Sequence, residues 1–199
     1  VLDSTPVPFD VTEENSTQEG GITLIKVDKP NMAQKGTISV EKTGEVFFGV
    51  NVSGEEDEDV IYQPVYKVKG LAGAVYEITA DEDVITPDGT LRYHKGDVVD
   101  TVTTDEDGTA KSKELYLGKY NVVETKAPTG MVINKEKHSV ELTYAGQDVA
   151  VTETATSFVN ERQKVKISLE KILEQDEIFG IGKNNEIKNI SFGLYAKED

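Results

Sequence analysis

The sequence contains no cysteine, no tryptophan and only two histidines in 199 residues. Without cysteine, no disulfide braces the fold, and thiolate nucleophiles and cysteine-ligated metal centres are excluded; the absence alone does not fix the compartment. His94 and His138 sit in polar surroundings on separate segments and read as surface residues rather than a catalytic or metal-binding pair. No stretch approaches the length of a membrane span, and residues 1–20 show no basic-then-apolar leader pattern. Positive charge is scarce, with 21 Lys and Arg against 37 Asp and Glu and a net charge of −16. A surface of that sign repels phosphate, so nucleic acid is not an expected partner. The acidic runs at residues 55–59 and 81–83 read as solvated loops that keep the protein soluble. No nucleophile motif accompanies the two histidines, which removes a hydrolase from consideration.

What is present is mostly strand. Short runs of Val, Ile, Thr and Tyr alternate with turn residues, and no segment keeps a 3.6-residue period over three turns. The pattern predicts strands over residues 37–43, 74–80, 98–104, 110–115, 119–125, 139–144 and 149–160, separated by turns such as Pro87-Asp88-Gly89 and Pro128-Thr129-Gly130. This spacing indicates an all-β sandwich. Asp105-Glu106-Asp107-Gly108 has a faint calcium-loop look but lacks the distal Glu, so a hairpin turn is the simpler reading. Tyr62, Tyr66, Tyr76, Phe47 and Phe48 lie on strand-like stretches, where aromatic residues read first as core.

Three polar residues stand in the wrong phase. In Ile38-Ser39-Val40-Glu41-Lys42, alternation puts Lys42 in line with Ile38 and Val40. In Tyr120-Asn121-Val122-Val123-Glu124, Glu124 follows Tyr120 and Val122; in Phe158-Val159-Asn160, Asn160 follows Phe158. Each points toward a core where an unpaired polar group is unfavourable. Lys42 alone would read as a strand-end lysine that snorkels. Taken with Glu124 and Asn160, it reads as part of a buried constellation.

Internal repetition suggests domain boundaries. Ile167-Ser168-Leu169-Glu170-Lys171 repeats the phase of residues 38–42, residues 192–199 resemble 76–83, and residues 9–12 resemble 140–143. The expectation is one complete domain at 35–161, preceded by the tail of another copy (1–34) and followed by the first strands of a third (162–199). With no initial Met and an end in mid-strand, the chain reads as an internal piece of a longer protein with stacked modules.

Gly118-Lys119-Tyr120-Asn121-Val122-Val123-Glu124-Thr125-Lys126-Ala127-Pro128-Thr129-Gly130 resembles the E-box of Cna-B-type (SpaA-like) repeats, which build shafts of Gram-positive pili and surface adhesins. The lysine strand, the second strand and the closing Phe158-Val159-Asn160 fall in the family's order; Met131 departs from it, standing where an aromatic residue is usual. The resemblance implies an Ig-like, prealbumin-like sandwich and an autocatalytic isopeptide bond between Lys42 and Asn160, with Glu124 hydrogen-bonding the Asn160 carbonyl and relaying protons. Burial favours that chemistry because it neutralises an amine and makes it a nucleophile. The resemblance further implies a stalk module rather than an enzyme, without cofactor or metal, at a bacterial cell surface and anchored to the wall, its partners being neighbouring repeats. Lys171 and Asp28 would be the matching positions of the flanking copies, unbonded in this chain because their partners lie beyond it. The rival reading is an adhesin module that binds a host protein or glycan through residues 45–69; a concave aromatic cleft there would favour it.

Overall fold

The computed structural model describes residues 3–29, 31–54, 61–172 and 192–193, and by its packing the chain divides into Val1–Gln163 and Lys164–Asp199. Among the described residues there is no helix, and the strands all lie in the first unit. They are β1 (Ser16–Glu19), β2 (Ile22–Ile25), β3 (Lys35–Ser53), β4 (Ile61–Gly70), β5 (Val75–Ala80), β6 (Val84–Ile85), β7 (Leu91–Tyr93), β8 (Val98–Thr103), β9 (Thr109–Lys111), β10 (Leu115–Tyr116), β11 (Gly118–Lys126), β12 (Lys137–Leu142) and β13 (Val151–Asn160).

Two sheets make the body. The first is organised around β3, which pairs antiparallel with β10, β9 and β4 in succession along one edge and parallel with β13 along the other. The second has the order β12-β11-β5-β8, all antiparallel. Alternation aims Ile38, Val40 and Phe158 from the first sheet at Tyr76, Ile78, Tyr120 and Val122 from the second, and these residues form the core. The sandwich predicted from the sequence is therefore the observed fold.

Two departures matter for function. β3 does not end near residue 43 but runs to Ser53, and residues 61–70, outside the seven predicted strands, return as β4. Together their far halves form a two-stranded arm in which Phe47, Phe48, Val50, Val52, Tyr62 and Val68 are exposed. Of the five aromatic residues read as core, only Tyr76 is buried; Tyr66 is half-buried beneath the Arg162 guanidinium, 3.7 Å from its ring centroid. The predicted strand over 110–115 is instead two short strands, β9 and β10, each pairing with β3.

Ahead of the sandwich, β1 and β2 form a hairpin sheet of their own with largely exposed side chains, and residues 9–12 are not in a strand. The entry to β3 is pinned by Gln34, which is 6% exposed. Its amide donates to the carbonyls of Gly146 and Val149, and its oxygen accepts from Ala145 N. In the second unit, residues 164–172 are exposed and form no strand, so the phase of Ile167-Ser168-Leu169-Glu170-Lys171 does not produce the strand it predicts. The repeat over 192–199 lies outside the described residues apart from Phe192 and Gly193.

Candidate functional site

The three out-of-phase residues meet between the sheets. Lys42 is 0% exposed, Glu124 2% and Asn160 2%. Lys42 and Asn160 come from adjacent parallel strands, where Lys42 is opposite Phe158 and Asn160 is opposite Gly44. Glu124 comes from the facing sheet, directly across from Tyr76. A bulge follows it between Glu124 and Lys126, so the inward alternation of β11 ends at this carboxylate.

The contacts form a closed cluster. Lys42 Nζ donates to Asn160 Oδ1 and lies 3.3 Å from Glu124 Oε1. Asn160 Nδ2 donates to Glu124 Oε1 at 2.9 Å and to Oε2 at 3.0 Å. The backbone N–H of Asn134 donates to Glu124 Oε2 at 2.6 Å. The carboxylate thus faces the amide nitrogen. The expectation that Glu124 hydrogen-bonds the carbonyl oxygen of Asn160 is corrected: the lysine amine occupies that oxygen. The reason is charge. A carboxylate accepts hydrogen bonds and an ammonium donates them, so the amide turns its NH2 to Glu124 and its oxygen to Lys42.

Burial pulls the Lys42 amine below the usual lysine range, against the opposing charge and hydrogen bond of Glu124. Apolar walls enforce the burial. Nζ lies 5.8 Å from the Phe158 ring centroid and 6.0 Å from that of Tyr76, and these two rings pack at 4.7 Å. Phe158 is covered in turn by His138, stacked at 3.9 Å, whose Nδ1 is 2.7 Å from Thr156 Oγ1. His138, expected on the surface, is therefore a half-buried lid on the cluster. His94 is exposed, 3.8 Å from Asp83.

Local backbone geometry holds the reacting positions. At Lys42, β3 changes partner from β9 to β4, and the junction is closed by Lys42 N donating to Gly108 O at 2.7 Å and Leu71 N donating to Lys42 O at 3.0 Å. Gly108 adopts φ +80°, and a Cβ there would stand 2.3 Å from Lys42 O, so glycine is required on both counts. Asp105 shapes this turn by accepting from Thr109 N at 2.8 Å and Asp107 N at 3.1 Å. After Asn160 the chain leaves β3: Glu161 O accepts from Val132 N at 2.7 Å, and Gln163 N donates to Gly130 O at 2.8 Å. This exit holds residues 130–134 in place and with them the Asn134 N–H. Sequence reasoning missed Asn134, because any residue but proline supplies a backbone donor and no side-chain signal marks one.

The flanking positions are not part of the cluster. Asp28 is exposed and 3.3 Å from Lys26 Nζ, and Lys171 is exposed.

Fold and site together define a two-sheet β-module whose first and last strands are joined through a buried lysine, carboxylate and amide. Residues 65–157 match the family described as SpaA, the prealbumin-like fold domain. Glu124 lies inside the matched span, while Lys42 and Asn160 fall on either side of it. Solved structures similar to the chain include GBS52, the minor pilin of Streptococcus agalactiae, at 17% identity and a TM-score of 0.41 over 70% of this chain and 49% of that one. The major pilin SpaD of Corynebacterium diphtheriae is 23% identical with a TM-score of 0.41, over 68% of this chain and 34% of that one. BcpA, the major pilin subunit of Bacillus cereus, is 23% identical with a TM-score of 0.37, over 65% of this chain and 29% of that one. The chain thus spans less than half the length of each of these pilins. No curated protein matches it.

Proposed function

We propose that this chain is a load-bearing module of a pilus-like or adhesive protein at a bacterial cell surface, locked by an isopeptide bond between Lys42 and Asn160 that forms without any other enzyme. The observation that carries this reading is the fully buried contact of a lysine amine, a side-chain amide and a carboxylate on the first, last and facing strands. In that pocket the ammonium proton passes to Glu124, and the neutral amine attacks Cγ of Asn160. Glu124, now protonated, delivers that proton to Nδ2, the atom its oxygens already contact at 2.9 and 3.0 Å, and then takes the surplus proton from Nζ. The C–N bond then breaks and ammonia leaves. Holding nucleophile and acceptor on adjacent strands supplies proximity, which in ideal cases replaces roughly 7–11 kcal/mol of barrier. The reaction happens once per molecule, so the module is not an enzyme with turnover and needs no cofactor.

Intact-mass measurement of the chain tests this. The expected mass is lower than the sequence mass by one ammonia; Lys42→Ala and Glu124→Gln restore the full mass while the protein stays folded. A full-mass wild type, or an unchanged deficit in Lys42→Ala, overturns the assignment.

A second reading is favoured by the β3–β4 arm. Its exposed Phe47, Val50, Val52, Tyr62 and Val68 suit a ligand-binding role for an adhesin, although the aromatic residues stand on an arm rather than in a cleft. Wall anchoring and stacked neighbouring copies, with Lys171 and Asp28 as their cross-linking positions, belong to this proposal as well.

A further inference from the structure

One side chain of the pocket has no role in the chemistry above. Tyr76 is 0% exposed, and its hydroxyl is one of two buried side-chain polar atoms without a hydrogen-bond partner among the described residues, the other being Thr37 Oγ1. A core hydroxyl left unpaired is unfavourable, and phenylalanine would fill the same space without it. Yet Tyr76 stands at the reacting groups: directly across from Glu124 in register, against Phe158 at 4.7 Å, with its ring centroid 6.0 Å from Lys42 Nζ.

The bond-forming step needs one donor that the cluster lacks. Asn160 Oδ1 accepts from Lys42 Nζ. When Nζ attacks the neighbouring carbon it ceases to serve that oxygen, just as the carbonyl electron pair moves there and the oxygen becomes anionic. The Asn134 N–H is committed to Glu124, and Asn160 Nδ2 donates to the same carboxylate. We propose that Tyr76 is the oxyanion donor of this reaction, its hydroxyl turning onto Asn160 Oδ1 as the tetrahedral intermediate forms. The phenol keeps its proton throughout. The Nζ proton goes to Glu124, Nδ2 receives one from Glu124, ammonia leaves, and the carbonyl re-forms as the hydrogen bond is released. Burial, reinforced by the charge of Glu124, pushes the phenol upward and so keeps it a donor at neutral and mildly alkaline pH.

This inference rests on the Lys42–Asn160 reading, and the test separates the two. The full chain is made by cell-free synthesis, quenched with acid at timed intervals, and scored for the fraction that has lost ammonia. Tyr76→Phe is expected to slow the loss at least about tenfold, toward the roughly hundredfold effect of removing one oxyanion donor, while reaching the same final product. In a Lys42→Ala background, Tyr76→Phe is expected to leave the melting temperature unchanged or raised, which a structural role for the hydroxyl would not allow. A wild-type rate in Tyr76→Phe overturns the donor role and leaves the cross-link standing; so does slow bonding accompanied by a lowered melting temperature in the Lys42→Ala background. A wild type that never loses ammonia overturns both.

Discussion

A lysine shut away from water is stable only where its charge is matched or removed, and Lys42 has both routes in reach. Glu124 lies 3.3 Å away to match the charge, and the Asn160 carbon is there to consume the amine. Removing the acceptor isolates the first route. In Asn160→Ala no bond can form, and Lys42 remains buried with a folded-state pKa below its unfolded value of about 10.4. Between those two values the unfolded chain holds a proton that the folded chain does not, so stability rises with pH across that window and the gain is lost as pH falls through the folded value. Urea midpoints of Asn160→Ala from neutral pH to about pH 10 are expected to climb, and adding Lys42→Met is expected to flatten the climb. A flat profile before that addition means that Lys42 is not desolvated.

At the scale of elements, the sandwich and the arm are separable. Among the described side chains, none in the far halves of β3 and β4 belongs to the buried core, and Glu45 and Val68 face each other where the arm begins. Replacing residues 46–67 with a short turn is expected to leave the sandwich folded and the ammonia loss intact, as read by circular dichroism and intact mass. Loss of the fold would show that the arm supports the core. The same contrast explains what could be read from sequence. Lys42, Glu124 and Asn160 were visible because their strands have one face in the core, and period-two alternation then reports orientation. β4 was invisible because neither face of the arm is buried and Pro64 lies within it, a residue tolerated only because β4 is an edge strand. His138 was misplaced because its polar sequence neighbours conceal the ring of Phe158 beneath it. Residues 167–171 show the converse: alternation without a partner strand yields no strand.

For the whole molecule, the consequence of the parallel β3–β13 pair is directional. Parallel neighbours start at the same pole, so Lys35 and Asn160 lie at opposite ends of the pairing, Lys35 opposite Val151 and Asn160 opposite Gly44. Tension applied at these ends shears the two strands, and a Lys42–Asn160 bridge stands directly in the load path. Single-molecule pulling is expected to show no unfolding extension from the bridged segment in the wild type, and in Lys42→Ala a release of about 40 nm for the 118-residue separation. A full release in the wild type would mean that no bridge carries the load. Closing a loop of this size also stabilises by about 4–5 kcal/mol on the chain-entropy account.

The junction after Asn160, where the backbone departs to pair with residues 130–132, leaves everything from residue 43 to residue 159 inside one covalent ring once the bridge exists. A protease that cuts the protruding arm opens that ring without dividing the chain, because the two pieces still meet at Lys42 and Asn160. An exposed part of the module is thereby expendable: a clipped molecule remains a continuous tether.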